Sequence, residues 1–252
     1  MDRTRIAVVT GASSGIGRAT AQLLLHGGMR VVANGRRAER LAELSEMVSL
    51  EGNQLIGLLG DIRQHDLIFR AFEAARTRWN QTPDLVVLCA GRGLPGTLLA
   101  SDSNQWHDLL EHNYLSIMYQ LRDAAQLLVT DAMQNPARSR DIVIIGSTVG
   151  RVISAANPVY GSTKFAIHSL AESLRQEVCS YNIRVTLIEP GFVKSEFQRN
   201  AGYDLDWFAA IEKQHGPLLV PEDIARTIEF VTSQPSHVHI DDVRIRPTKQ
   251  PT

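Results

Sequence analysis

Tyr160 and Lys164 lie four residues apart in the run Tyr-Gly-Ser-Thr-Lys. On a helix this spacing puts both side chains on one face, one turn apart. An ammonium held beside a phenol favours the phenolate, so the pair predicts a tyrosine with a lowered pKa that can donate and accept a proton. Ser147 adds a hydroxyl that could orient and polarise the same substrate oxygen. This chemistry suits hydride transfer between an alcohol and a carbonyl.

The spacing Tyr-x-x-x-Lys by itself has a more ordinary explanation. An aromatic residue packed in the core beside a solvated amine meets at the same spacing by chance. The chemical interpretation therefore depends on whether a sheet edge brings these side chains to a ligand.

Short apolar runs alternate with longer helical patterns, the order expected of βαβ units. The predicted strands are Ile6–Thr10, Arg30–Asn34, Gln54–Leu59, Leu85–Cys89, Asp141–Ile145, Arg184–Glu189 and Val243–Arg246. The predicted helices are Gly17–His26, Ala38–Ser49, Gln64–Trp79, Gln105–Thr130, Tyr160–Tyr181 and Pro221–Ser233. We therefore predict an α/β chain with a single-domain Rossmann fold over residues 1–252, a doubly wound parallel sheet of about seven strands with helices on both faces.

A glycine-rich turn, Thr-Gly-Ala-Ser-Ser-Gly-Ile-Gly, joins the first strand to the first helix. Glycines allow a tight bend and close approach of a pyrophosphate, and the helix N-terminus favours an anion. The alternative is an ordinary strand-to-helix turn. The residues of this turn that we expect to contact a dinucleotide are Gly11, Ser13, Ser14, Gly15, Ile16 and Gly17.

Arg36 and Arg37 follow the second strand, where an NAD enzyme usually has Asp or Glu. A guanidinium there can bind the 2′-phosphate, so the sequence favours NADP(H) over NAD(H). The alternative is two solvated arginines at the start of a helix.

The ends of the third and fourth strands complete the expected nucleotide site. Asp61 either accepts from the adenine amino group or caps the helix expected from Gln64, and Ile62 beside it is a further expected contact. Ala90 and Gly91 are small enough for the ribose and nicotinamide to lie against the backbone.

The segments TGASSGIG, Gly146-Ser147, YGSTK and Pro190-Gly191, together with Asn113, resemble the classical short-chain dehydrogenase/reductase family over nearly the whole chain. The resemblance implies a tetrad of Asn113, Ser147, Tyr160 and Lys164. In it, Lys164 also holds the nicotinamide ribose and Asn113 supports a proton-relaying water.

The same resemblance implies that Pro190, Gly191 and Val193 contact the nicotinamide amide. It also implies a homodimer or homotetramer built through the helices expected over Gln105–Thr130 and Tyr160–Tyr181. The segments EDIARTIEF and VRIRPTKQ are similar to a narrower group of NADP-dependent dehydrogenases of serine, other small hydroxy acids or aldehydes. One departure is Leu88-Cys89-Ala90-Gly91, where the family usually has Asn-Asn-Ala-Gly.

Residues 193–219 have no clear periodicity and are the expected substrate lid. The aromatic residues near it either line an apolar pocket or bury the lid: Phe192, Phe197, Tyr203, Trp207 and Phe208. Arg92 and Arg151 follow the two strands that frame the site and could bind a substrate carboxylate.

The formal net charge is −1 and no Lys/Arg block occurs, which disfavours nucleic-acid and membrane partners and favours a small-molecule substrate. The N-terminal sequence has no secretory pattern, so a cytoplasmic location is expected. We expect Cys89 to be a small apolar filler. His237 and His239 alternate, but with no third ligand in sight no metal is expected.

Two other functions stay open on the sequence. A nucleotide-sugar epimerase or dehydratase shares Tyr-x-x-x-Lys, although the glycine spacing and the short C-terminal part disfavour it. A non-catalytic NADP(H)-sensing protein is suggested by the altered Leu88-Cys89 segment.

Overall fold

The computed structural model describes residues 4–47 and 53–251. Seven parallel strands form one sheet in the order β3-β2-β1-β4-β5-β6-β7. The strands are β1 Ile6–Thr10, β2 Arg30–Gly35, β3 Leu55–Leu59, β4 Leu85–Leu88, β5 Arg140–Ile145, β6 Ile183–Pro190 and β7 Asp242–Ile245. The strand order reverses between β1 and β4, and this switch point leaves a crevice at the carboxyl ends of the strands. The predicted doubly wound single-domain fold is confirmed.

Helices cover both faces of the sheet. They are α1 Gly15–His26, α2 Ala38–Met47, α3 Leu67–Trp79, α4 Trp106–Leu110, α5 Ser116–Gln134, α6 Pro158–Val178, α7 Phe197–Asn200, α8 Leu205–His215 and α9 Pro221–Thr232. Alternate residues of β1 enter two separate cores, Ile6 and Val8 on one face and Ala7 and Val9 on the other. The central strands are buried along their whole length because neither face meets solvent.

The single helix predicted over Gln105–Thr130 is interrupted. A π-helical turn at Glu111–Leu115 separates α4 from α5, and α5 continues to Gln134. The prediction of one unbroken helix is wrong, and within the π turn the Asn113 amide forms two hydrogen bonds with the backbone of Arg92. Such single π turns are frequent at functional sites.

The 193–219 segment contains two helices, α7 and α8, where the sequence predicted none. The Asp204 carboxylate caps α8 by accepting from the N–H groups of Asp206 and Trp207. The predicted residues Val48–Ser49 of the second helix lie outside the described residues. None of the helices in the described part of the chain is both long and apolar enough to cross a bilayer.

Candidate active site

A cavity of about 860 Å³ lies at the carboxyl ends of the strands, at the switch point. The predicted site residues that line it are Gly11, Ser13, Ser14, Gly15, Ile16, Gly17, Arg36, Arg37, Ile62, Ala90, Gly91, Ser147, Tyr160, Lys164, Pro190, Gly191 and Val193. Asn113 and Asp61 are outside this lining. The structure therefore brings the glycine-rich turn and the Tyr160 helix to one cavity.

The first turn of α1 has the geometry of an anion site. Gly11 and Gly15 have φ of +69° and +51°, the left-handed region that favours glycine. A Cβ on Gly17 would lie 2.5 Å from the Gly11 carbonyl oxygen, so the turn could not close this tightly with a side chain there. Over Gly15–His26 the first turn has no acidic residue, and the Ser14 side chain does not cap it. The N-terminal N–H groups and the helix dipole thus fit a dinucleotide pyrophosphate.

Arg36 and Arg37 differ in their contacts. The Arg36 side chain is 64% exposed, and its ion pair with Asp61 is long, at 3.9 Å. Arg37 donates to the Ser13 carbonyl at 3.1 Å and to Glu196 at 3.3 Å, so it joins the glycine-rich turn to the 193–219 segment. Arg36 is thus the guanidinium available to a phosphate at this end of the cavity.

Asp61 does not cap a helix. The helix begins at Leu67, and the Asp61 carboxylate instead accepts the N–H and guanidinium of Arg63. The side-chain hydrogen bond from Arg63 lowers the pKa of Asp61 to about 2. The capping interpretation is therefore wrong. Ile62, rather than Asp61, lines the cavity.

Tyr160, Ser147 and Lys164 are positioned by α6 and the end of β5. The Ser147 hydroxyl forms a hydrogen bond with the Tyr160 hydroxyl. The Lys164 Nζ donates to the Ile145 carbonyl at 2.9 Å and lies 5.8 Å from the centroid of the Tyr160 ring. Pro158 is the first residue of α6, and its fixed φ favours the start of the helix that carries Tyr160 and Lys164. A phenol, a hydroxyl and an amine therefore meet at one point of the cavity wall.

The expectation that Lys164 lowers the pKa of Tyr160 is wrong for this structure. Burial raises the pKa of Tyr160, the nearby Tyr203 hydroxyl raises it further, and the hydrogen bond with Ser147 lowers it by less. Burial also lowers the pKa of Lys164 to about 8, which weakens its cationic influence. Tyr160 is consequently held as a neutral phenol, the form that donates a proton.

The buried amine predicts a pH-dependent stability. The folded chain binds the Lys164 proton less tightly than the unfolded chain, whose lysine pKa is 10.5. The penalty is complete below about pH 8 and disappears as the pH rises to 10.5, so stability increases across this window. We expect the unfolding free energy of the wild type, relative to Lys164→Met, to rise over this range in urea titrations. The exposed Lys213→Met is the control, and an equal pH dependence in both variants would contradict the assignment.

Asn113 acts on the backbone rather than on the cavity. Its Nδ2 donates to the Arg92 carbonyl at 2.7 Å and its Oδ1 accepts the Arg92 N–H at 2.9 Å. A Cβ on Gly91 would meet both Asn113 Oδ1 at 3.7 Å and Lys164 Nζ at 3.8 Å. The buried amide therefore positions the loop after β4 next to the amine.

Cys89 follows β4 and packs against the core. Burial raises the pKa of its thiol to about 12, which favours the protonated thiol at neutral pH. Its packing agrees with the expected small apolar filler, and Cys89 also lines the cavity.

The sequence analysis did not predict many of the lining residues, and Gln250 and Asn157 are two of them that make polar contacts. Gln250, near the C-terminus, is buried, and its Oε1 accepts the Phe192 N–H at 3.0 Å. Asn157 donates to the Tyr203 hydroxyl at 3.3 Å. Neither has a sequence signal, because each depends on a contact between distant segments. The same glutamine explains why residue 191 is a glycine, because a Cβ there would lie 2.2 Å from Gln250 Oε1.

His239 has a backbone partner instead of a metal. Its Nε2 lies 3.1 Å from the Val185 N–H and 3.0 Å from the Val185 carbonyl. Across residues 4–47 and 53–251, no group of three or more His, Cys, Asp or Glu side chains could hold a metal ion.

The chain is similar to known dehydrogenases over most of its length. The family model for short chain dehydrogenase matches residues 5–206. Dehydrogenase/reductase SDR family member 11 of Mus musculus is 32% identical over 256 residues, which cover 99% of this chain and 96% of that protein.

Solved structures show the same likeness. The closed form of serine dehydrogenase complexed with NADP⁺ has a TM-score of 0.85 at 28% identity, over 98% of this chain and 96% of the other. Serine dehydrogenase from Escherichia coli has a TM-score of 0.81 at 27% identity, over 98% and 100% of the two chains. This chain therefore belongs to the short-chain dehydrogenase family of oxidoreductases, the family that its motifs resemble.

Proposed function

We propose that the chain is an NADP(H)-dependent oxidoreductase that interconverts an alcohol and a carbonyl compound, with Tyr160 as its general acid and base. The observation that carries the proposal is the shared cavity: Tyr160, Ser147 and Lys164 line the same space as the glycine-rich turn and Arg36. The NADP⁺-bound state of the similar serine dehydrogenase structure supports the choice of nucleotide.

The turn from Gly11 to Gly17 would hold the pyrophosphate, Arg36 the 2′-phosphate, and Pro190, Gly191 and Val193 the nicotinamide end. When bound, the nicotinamide supplies or accepts the hydride. The Ser147 hydroxyl orients the substrate oxygen, and Tyr160 donates its phenolic proton to that oxygen as negative charge develops on it. Lys164 would hold the ribose and return a proton toward Tyr160. Asn113 keeps the Gly91 backbone in place beside the amine.

Residues 193–219 form a closed unit that we propose as the substrate lid. Val193 and Leu219 pair as a parallel bridge, and the Lys194 N–H donates to the Leu219 carbonyl at 2.8 Å. The two ends of the segment are thus fixed beside each other while its helices cover the Tyr160 end of the cavity. The homo-oligomer and the cytoplasmic location stay predictions.

The function is tested by following NADPH and NADH oxidation side by side over a panel of aldehydes and ketones, and the reverse reaction over alcohols and hydroxy acids. The proposal expects nucleotide-linked turnover that is faster with NADPH. A purified chain that binds NADPH but oxidises it with no member of a broad panel would contradict it.

Arg36→Ala tests the preference for the 2′-phosphate. The loss of a charge-assisted contact worth about 1.5–3 kcal/mol should raise the Kd for NADPH by about 10- to 100-fold and leave the Kd for NADH nearly unchanged. Arg78→Ala removes the same charge from an exposed position on α3, outside the cavity lining. Equal weakening of NADPH and NADH binding by Arg36→Ala would show that this side chain does not bind the 2′-phosphate.

A further inference from the structure

Five aromatic side chains form a continuous surface at the Tyr160 end of the cavity. This aromatic wall consists of Phe192, Phe197, Tyr203, Trp207 and Phe208, all of which line the cavity. The Phe197 ring meets the Tyr160 ring edge-on at 5.9 Å and stacks with Tyr203 at 6.3 Å. Tyr203 in turn stacks with Trp207 at 6.5 Å. A substrate oxygen at Tyr160 would therefore have its substituents against aromatic rings.

The wall is fixed to the body of the protein beside Tyr160. Asn157, at the start of α6, donates to the Tyr203 hydroxyl at 3.3 Å. The Tyr203 hydroxyl is also near enough to the Tyr160 hydroxyl to raise the pKa of Tyr160. The aromatic wall therefore lies next to the reacting oxygen, where it would contact the substrate.

The two arginines that the sequence offered for a substrate carboxylate are both paired with protein groups. The Arg92 guanidinium donates to the Asp108 carboxylate and to the Gln105 side chain. Arg151 is not part of the cavity lining, and it binds Glu189 at 2.6 Å. Neither charge is left for an anionic substrate.

The other basic groups of the lining are paired with protein groups, neutral, or at the end of the cavity proposed for the nucleotide. Among the described residues these are Arg36, Arg37, Arg63, His112 and Lys164. Arg37 is paired with Glu196 at 3.3 Å, and Arg63 with Asp61 at 2.8 Å. Burial lowers the pKa of His112 to about 4, so this ring is neutral. Arg36 directly follows β2, at the end of the cavity where we propose the 2′-phosphate, and Lys164 donates to the Ile145 carbonyl.

We propose, on the basis of the proposed function, that the substrate is an uncharged aldehyde or ketone, or the matching alcohol, with an apolar and preferably ring-bearing substituent. A carboxylate placed against the aromatic wall would lose its hydration without gaining a cation, which is strongly unfavourable. An apolar substituent gains by the same burial. This specificity differs from the serine named for the similar structures.

Matched substrate pairs test the inference with NADPH as the reductant. Acetophenone is compared with benzoylformate, and phenylacetaldehyde with phenylpyruvate, so that each pair differs by a carboxylate. In each reduction the carbonyl carbon gains the hydride of NADPH, the oxygen gains the Tyr160 proton, and NADP⁺ is released. We expect kcat/KM to favour the uncharged member by at least about 100-fold.

The outcomes separate this inference from the proposed function. Reduction of the keto acids at rates equal to or above those of their uncharged partners, or preferential oxidation of serine, would overturn the specificity and leave the oxidoreductase intact. Failure to oxidise NADPH with these compounds and with every member of a broad carbonyl panel would remove both.

Trp207→Ala adds a test of the aromatic wall itself. The side chain is 45% exposed, so its loss should not unfold the chain. We expect the KM for acetophenone to rise about tenfold while the KM for NADPH stays unchanged. Phe69→Ala, an exposed aromatic residue on α3 outside the cavity, is the matched control and should change neither value. An unchanged acetophenone KM in Trp207→Ala would contradict the placement of the substrate.

Discussion

Tyr160→Phe is expected to lower the NADPH-linked kcat by about 10²- to 10⁴-fold, the range for loss of a positioned general acid. The substitution removes one hydroxyl and keeps the ring that packs with Phe197. In the proposed arrangement the glycine-rich turn and Arg36 hold the nucleotide, so the Kd for NADPH should not change. Steady-state kinetics and equilibrium titration of NADPH measure the two quantities separately.

Tyr181→Phe is the control for this experiment. Tyr181 is 38% exposed, follows α6 and does not line the cavity, so its hydroxyl has no role in proton transfer. Turnover of the Tyr160→Phe chain within a few-fold of the wild type would show that another group supplies the proton. Loss of NADPH binding together with turnover would instead show that Tyr160 acts on the cofactor site.

Asp141→Ala is expected to lower the free energy of unfolding by about 3–5 kcal/mol, because it leaves buried positive charge without its partner. The Asp141 carboxylate accepts from Arg184 at 2.7 Å and 3.1 Å, and also binds Arg5. Asp141 and Arg184 are 2% and 5% exposed. Urea unfolding monitored by circular dichroism measures the loss.

The position of this network indicates that Asp141→Ala should change stability but not NADPH affinity. Arg5 precedes β1, and Asp141 and Arg184 are the second residues of β5 and β6, so the network joins the amino ends of the strands. The cavity lies at the opposite ends, and folded Asp141→Ala should therefore keep its NADPH affinity. Glu172→Ala breaks an exposed pair with Arg175 and should have little measurable effect on stability. Equal small losses in both variants would contradict a buried network.

The predicted strands agree with the structure to within a residue or two, most clearly in the central strands β1, β4, β5 and β6, which are buried along their whole length. The glycine-rich turn, Ser147, Tyr160 and Lys164 could also be placed on one cavity. In a parallel sheet the carboxyl ends of the strands share one edge, so residues that follow different strands meet there.

What the sequence could not supply depends on contacts between distant segments. The π turn at Glu111–Leu115 contains Asn113, whose bonds with the Arg92 backbone join positions 21 residues apart, and helical periodicity does not report such bonds. Gln250 reaches Phe192 across 58 positions. The pKa of Tyr160 rises instead of falling because burial and the Tyr203 hydroxyl outweigh its hydrogen bond with Ser147.

The helix α8 could have been predicted from the sequence. Asp204 stands directly before it as a capping residue, and Phe208 and Ile211, three positions apart, are its buried side chains. Because this amphipathic pattern is short, it does not form the long periodic run from which the other helices were predicted.

A crystal structure of the chain with NADP⁺ tests the central claim most directly. We expect dinucleotide density along Gly11–Gly17, with the 2′-phosphate in contact with Arg36 and the nicotinamide end beside Ser147 and Tyr160. Density elsewhere on the protein, or a Tyr160 hydroxyl turned away from the nicotinamide, would contradict it.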